Sequence, residues 1–192
     1  MKVDYMKRIA AFIDFQGTIG GEGTDDIRAL ILYDFSAEAI KMLNDKHILT
    51  IGITNQSHIS KGKLSMDDYT YQLERISSEL AKRKARFDDV FCCPHSHKDN
   101  CSCKKPLPGM VNMAKDKYDI SVNKSYVIGD MGKSDMVLAK NVGAKGVLVL
   151  TGVGKDSLGE YRHTWAGVEA DHIADNLLEA VKWIIADYNY AK

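Results

Sequence analysis

Short apolar runs of β-strand length alternate with segments of helical period along the chain, and this alternation is what most restricts the fold. Ile9-Ala-Ala-Phe-Ile-Asp14 reads as a buried strand, followed by Ile48-Leu-Thr-Ile-Gly-Ile53, a short strand ending at Val90-Phe91, Ser125-Tyr-Val-Ile-Gly129 and Gly146-Val-Leu-Val-Leu150. Residues 171–174 add a shorter one. Between these runs, residues 36–46 carry Ala39, Ile40 and Leu43 at helical spacing, and residues 66–86 do the same with Tyr69, Leu73, Ile76 and Leu80. Residues 107–118 form a helix opened by Pro108, residues 134–141 a helix stopped by Gly143, and residues 176–188 a terminal helix. Continuous apolar strands separated by helices specify an α/β fold: a Rossmann-like, mostly parallel sheet with helices on both faces. With 192 residues, 45% of them hydrophobic, the chain is expected to form one domain over 1–192.

In such a sheet, ligands bind outside the carboxyl ends of the strands. Asp14-Phe-Gln-Gly-Thr18, Thr54-Asn-Gln-Ser57 and Gly129-Asp130 therefore meet at one edge. Asp14 is placed to act as nucleophile, metal ligand or general base; the alternative is a turn residue capping its own backbone. Thr54 and Asn55 suit phosphate oxygens, and equally a helix cap. Lys105, just before a helix, suits a phosphate or a carboxylate, though a lone lysine is usually solvated. Asp130 with Asp135 makes a hard-cation site of the kind Mg²⁺ uses, or a strand-end turn with a carboxylate near a helix start.

The four cysteines, Cys92, Cys93, Cys101 and Cys103, lie in one short stretch and cannot staple distant segments. Cys93, His95, Cys101 and Cys103 supply three sulfurs and an imidazole, a Cys₃His set of the structural zinc type; the alternative is a group of reduced thiols. Cys92 is left over and is expected to face the core, with His97 a reserve ligand.

The order strand-Asp-x-x-Gly-Thr, strand-Thr-Asn, Lys, strand-Gly-Asp-x-x-x-x-Asp resembles the haloacid dehalogenase-like phosphohydrolase superfamily over essentially the whole chain. Thr54-Asn-Gln-Ser57, Cys93-Pro-His95 and Cys101-Ser-Cys-Lys-Lys-Pro106 resemble its histidinol-phosphate and heptose-bisphosphate phosphatases. The resemblance implies a Mg²⁺-dependent phosphomonoesterase acting on a small phosphorylated metabolite such as a sugar phosphate. It implies Asp14 as the nucleophile that becomes an aspartyl phosphate, and Mg²⁺ held by Asp14, the Gln16 carbonyl and Asp130. Thr54 and Asn55 would bind the phosphoryl group, with Lys61 and Lys104 as further substrate contacts. Lys105 would offset the negative charge, and Asp135 would orient Lys105 or a metal-bound water. A zinc loop on Cys93, His95, Cys101 and Cys103 would pin the segment carrying Lys104 and Lys105. Neither of the gaps 14–54 and 54–105 has room for a separate cap, so the site is expected to be open, with the glycine-rich segment 17–23 as a flap.

One residue departs from the pattern. The family motif is Asp-x-Asp-Gly-Thr, and its second Asp carries protons to the leaving group and from water. Here that position is Gln16, whose amide does neither at ordinary pH. General acid–base catalysis contributes about 10²–10⁴-fold. Three outcomes stay open: a slow phosphatase suited to good leaving groups, a substitute carboxylate from Glu22, Asp25 or Asp26, or a disabled protein that only binds a phosphorylated ligand. Phe15 also stands where the subgroup commonly has a polar or basic residue, and Lys61 and Lys104 stand where it often has arginine.

Charge and hydropathy limit partners. Lys+Arg and Asp+Glu both number 26, so no net field favours nucleic acid or an anionic membrane. The basic run Lys82, Arg83, Lys84, Arg86 reads as a solvated helix end. No apolar run approaches the roughly 20 residues that span a bilayer. A cytoplasmic monomer is the expectation.

Overall fold

The computed structural model describes residues 7–22 and 26–190. Six strands form one parallel sheet: β1 (Ala10–Ile13), β2 (Leu49–Asn55), β3 (Asp89–Cys93), β4 (Tyr126–Gly129), β5 (Lys145–Val149) and β6 (His172–Ala174), in the order β3-β2-β1-β4-β5-β6. The helices are α1 (Ser36–Asp45), α2 (Met66–Lys82), α3 (Gly109–Tyr118), α4 (Val137–Val142), α5 (Gly154–Leu158) and α6 (Leu177–Tyr190).

The two-residue period of the central strands sorts the core into two layers. Ala11, Ile13, Ile128, Val147 and Val149 point to one face, where they pack with Ile40 and Leu43 of α1, Ile76 and Leu80 of α2, and Val181 and Ile184 of α6. Ala10, Phe12, Leu49, Ile51 and Val127 point to the other, against Met110, Val111 and Ala114 of α3 and Leu138 of α4. Every residue of β1 and β4 is buried, which is why these segments read as uninterrupted apolar runs.

Three segments differ from the sequence expectation. The second helix, expected over 66–86, ends at Lys82: Lys84 adopts a left-handed φ of 59°, and the Ala85 N–H closes on the Leu80 carbonyl at 3.1 Å. The basic run is thus split between a helix end and the loop before β3, and its four charged residues are exposed. β3 continues past Phe91 to Cys93, which pairs with Asn55, so the start of the cysteine cluster is built on the sheet. The helix expected from Ser134 begins instead with a π-helical turn over Gly132–Met136, and only then becomes α4, with Gly143 ending it at φ 71° as anticipated.

Between β1 and β2 the described residues hold a tight turn, one 3₁₀ turn (Ile27–Ala29) and α1; between β2 and β3 α2 is the one α-helix. Among the described residues no helix is long and apolar enough to cross a membrane.

Candidate active site

The sheet reverses its winding direction between β1 and β4, and the strand ends there part to leave a crevice. Asp14 leaves β1 with its N–H bonded to the Ile128 carbonyl at 3.0 Å, and Asp130 follows β4 directly. The Lys105 ammonium joins them: Nζ lies 2.7 Å from Asp14 Oδ1 and 2.7 Å from Asp135 Oδ1, with the lysine side chain 2% exposed. Lys105 reaches this depth because Asn55, at the end of β2, grips its main chain. Lys105 N–H donates to Asn55 Oδ1 at 3.0 Å, and Asn55 Nδ2 donates to the Lys105 carbonyl at 3.3 Å.

Asp14, Asp130 and Asp135 bring carboxylate oxygens within 4.8 Å of one another. One lysine cannot balance three such charges. Burial pushes the Asp14 carboxyl up to about 6, against the pull of Lys105. Burial, then the Asp14 and Asp135 charges, push Asp130 up to about 8. Burial disfavours a charged Lys105, but Asp135 and Asp14 together hold it protonated above its ordinary range. Asp130 Oδ2 accepts the Val153 N–H at 2.8 Å, while Asp130 Oδ1 is buried with no partner among the described residues. An orphaned carboxylate oxygen, beside two more carboxylates and an open cavity, is a donor set that fits a hard divalent cation such as Mg²⁺.

Thr54 and Gln56, both buried, converge on Gln16: the Thr54 hydroxyl and Gln56 Nε2 each donate to Gln16 Oε1 at 3.2 Å. Gln56 Nε2 also donates to Thr54 Oγ1 at 2.8 Å. A cavity of about 220 Å³ opens over this floor, lined by Asp14, Gln16, His58, Lys61, Lys104 and Lys105 among others. Its three lysines suit an anion. The Lys104 ammonium donates to Ser57 Oγ and, at 3.3 Å, to the His95 carbonyl, so it links the cysteine loop to the end of β2. Phe15 does not reach the cavity. It is fully buried beneath the strand, its ring 5.3 Å from that of Phe87, so this departure concerns packing.

Cys93, His95, Cys101 and Cys103 gather their ligand atoms within 4.8 Å of each other. Cys93 Sγ lies 3.6 Å from Cys101 Sγ and 3.0 Å from Cys103 Sγ, and His95 Nδ1 lies 3.2 Å from Cys103 Sγ. Zinc–sulfur bonds of about 2.3 Å in a tetrahedron put sulfurs about 3.8 Å apart, so the four donors fit zinc after a slight expansion. Burial opposes ionisation of Cys101, yet the Lys104 and Cys103 N–H groups draw its thiol down to about 7, favouring the thiolate a metal needs. Cys92 stands apart, half-buried against the core, with its thiol pushed up by burial to about 11. His97 lies exposed in a neighbouring 3₁₀ turn, outside the cluster.

Comparisons with known proteins agree with this geometry. A family model described as HAD-hydrolase-like matches residues 102–180. The D-glycero-beta-D-manno-heptose-1,7-bisphosphate 7-phosphatase of Yersinia pestis is 30% identical over 189 residues, covering 93% of this chain and 96% of its own. The enzyme of the same name from Escherichia coli is 32% identical over 153 residues, covering 74% of this chain and 80% of its own. The crystal structure of D,D-heptose 1,7-bisphosphate phosphatase from B. bronchiseptica, complexed with magnesium and phosphate, superimposes with a TM-score of 0.84 at 25% identity, covering 95% of this chain and 99% of that one. The chain belongs to the haloacid dehalogenase-like hydrolases.

Within this hydrolase, three contributors to the site had no role assigned from the sequence, Gln56 being read only as part of the Thr54–Ser57 motif. Gln56 holds the Gln16 amide. The loop after β5 closes the crevice, with the Val153 N–H on Asp130 and the Thr151 hydroxyl on the Gly17 carbonyl at 2.6 Å. Gly152 is required there: its φ is 53°, and a Cβ would lie 2.2 Å from Asp130 Oδ2 and 2.4 Å from Gly17 Cα. His58 lines the cavity from the turn after β2. Of the candidate substitutes for the missing acid, Asp25 lies outside the described residues. Glu22 is exposed, and Asp26 caps the 3₁₀ turn; neither is among the residues lining the cavity.

Proposed function

We propose that this chain is a Mg²⁺-dependent phosphomonoesterase that hydrolyses a phosphorylated sugar through a phosphoryl group carried on Asp14. The observation that carries this reading is the Asp14–Lys105–Asp135 chain of 2.7 Å contacts at the sheet's switch point, next to the orphaned Asp130 Oδ1. The named activity of the Yersinia and Escherichia relatives supports a sugar phosphate as substrate class.

Asp14, the Gln16 carbonyl and Asp130 would hold Mg²⁺, which supplies charge neutralisation and orientation of the phosphoryl oxygens. Asp14 attacks phosphorus in line. Lys105 keeps Asp14 ionised despite its burial and offsets charge on the transferred group. Thr54, whose hydroxyl here donates to Gln16 Oε1, would turn it to the phosphoryl group, and Lys61 and Lys104 bind the anionic substrate from the cavity wall. Asn55 sets the depth of Lys105. Asp135 orients Lys105 through Oδ1 and is itself fixed by the Met131 N–H at 3.1 Å on Oδ2. A structural zinc on Cys93, His95, Cys101 and Cys103 would stiffen the loop that delivers Lys104 and Lys105. Four cysteines without disulfides support a cytoplasmic site of action.

The test is phosphate release from a panel of sugar phosphates with Mg²⁺. Activity that vanishes in Asp14→Asn and reversibly in EDTA supports the reading; activity indifferent to both overturns it. One observation favours a second reading, a binder without turnover: Gln16 offers an amide, held by two donors, where the reaction needs a proton carrier. Tight phosphate-ester binding with no release above that of Asp14→Asn would support the binder.

A further inference from the structure

A histidine lies in the same cavity as Gln16. His58 lines the cavity that Asp14 and Gln16 floor, and its Nδ1 lies 3.4 Å from Asp26 Oδ2. With Nδ1 at ion-pair distance from a carboxylate, Nε2 is the nitrogen left to carry a proton to and from the cavity, as a histidine general acid–base requires.

The pair is held as one unit by Arg28. Its guanidinium grips Asp26 through two bonds, 3.0 Å to Oδ1 and 2.7 Å to Oδ2, and donates to the Lys63 carbonyl at 3.1 Å. Lys63 closes the turn that carries His58: its N–H bonds the His58 carbonyl at 2.9 Å, and Leu64 N–H bonds it at 3.2 Å. Asp26 is therefore fixed to the same turn as the imidazole it orients. The charged groups around the ring are Asp26 and Arg28 on the 3₁₀-turn side, Lys61 from its own turn, and Lys104, Lys105 and Asp14 across the cavity.

We propose that His58, oriented by Asp26, performs the acid–base work that Gln16 cannot. The inference rests on the phosphatase reading and names the proton carrier for that site. In the first half-reaction an Asp14 oxygen attacks phosphorus, the P–O bond to the sugar breaks, and the departing alkoxide takes the Nε2 proton of the imidazolium. In the second, water attacks the phosphorus of phospho-Asp14 and gives a proton to Nε2. The acyl phosphate bond breaks, inorganic phosphate leaves, and Asp14 returns as a carboxylate with His58 protonated. Asp26 is a positioning residue. It contacts the imidazole and not the reacting atoms.

The experiment is pre-steady-state kinetics with Mg²⁺ on p-nitrophenyl phosphate, whose leaving group needs no acid, and on a hexose phosphate, whose leaving group does. The parent chain, His58→Gln, Asp26→Asn, Asp26→Glu and Asp14→Asn are compared. His58 sits in a partly exposed turn, so His58→Gln keeps the fold. It is expected to release one burst equivalent of p-nitrophenol and then turn over about 10²–10⁴-fold more slowly than the parent, with phospho-Asp14 accumulating. On the hexose phosphate it gives no burst and the same order of loss. Imidazole added to His58→Gly restores turnover, and Asp26→Glu recovers what Asp26→Asn loses. Turnover of His58→Gln within about threefold of the parent on both substrates overturns the proposal. So does a parent chain that itself stalls as phospho-Asp14. A parent with neither burst nor sensitivity to Asp14→Asn overturns the phosphatase reading, and the proposal with it.

Discussion

Gln56 Nε2 donates to Gln16 Oε1 across 3.2 Å, and this contact fixes which end of the Gln16 amide faces β2. The Thr54 hydroxyl donates to the same oxygen, so Gln16 is held as an acceptor and has no proton to exchange there. Restoring an acid at position 16 is then a direct measure of what the site lacks. With His58 as proton carrier, Gln16→Asp raises hexose phosphate turnover by less than about tenfold. A rise approaching the about 10²–10⁴-fold of a recovered general acid–base would show that proton transfer was absent.

Lys105 bridges Asp14 and Asp135 with contacts of 2.7 Å to each, and it is buried. Lys105→Met leaves those carboxylates facing each other without a counter-charge. Removing one partner of a buried ionic group typically costs about 3–5 kcal/mol. Urea denaturation in EDTA should show a loss of that order, smaller in Mg²⁺, and phosphate release should vanish in both.

Held as proposed, Mg²⁺ would bind the folded carboxylate cluster and not the dispersed residues of the unfolded chain. At about 100 times its dissociation constant it adds about 2.7 kcal/mol. A thermal melt should therefore rise with Mg²⁺ in the parent and stay flat in Asp130→Asn, whose unpartnered Oδ1 is the oxygen left for the ion.

Metal analysis of the purified protein should return one zinc per chain, and Cys103→Ser should lose it. Because Lys104 spans from the His95 carbonyl to Ser57, the loss should raise KM for phosphorylated substrates more than it lowers kcat.

The strand ends were legible because a parallel sheet forces its polar residues to one edge: Asp14, Thr54 and Asp130 could be placed from the apolar runs before them. The Cys93–Cys103 cluster was legible because its ligands are near neighbours in sequence. His58 and Asp26 were not paired, since they lie on different connections and only the fold brings them together. Val153 was invisible for another reason: it contributes a backbone N–H, which any residue but proline supplies. The early end of α2 turns on Lys84 in a left-handed conformation, a state that helical periodicity cannot announce.

Asp187 on α6 accepts from Lys145 Nζ at 2.7 Å and from the Tyr126 hydroxyl at 2.6 Å. Burial works against its charge, but these two donors hold its carboxyl below the ordinary 3.8. A depressed carboxyl contributes stability that is present above its unfolded value and lost as pH falls through its folded one. The parent should thus lose urea resistance as pH drops below about 4. Asp187→Asn should be less stable than the parent at pH 7 and lose less over the same acid range.

The central claim is that Asp14 carries the phosphoryl group. The most direct measurement is peptide mapping by mass spectrometry of His58→Gln, acid-quenched during turnover of p-nitrophenyl phosphate with Mg²⁺. A phosphoryl adduct is expected on the peptide containing Asp14, absent in the Asp14→Asn double variant and in EDTA. Phosphate release with no adduct on that peptide, or an adduct that survives Asp14→Asn, would contradict it.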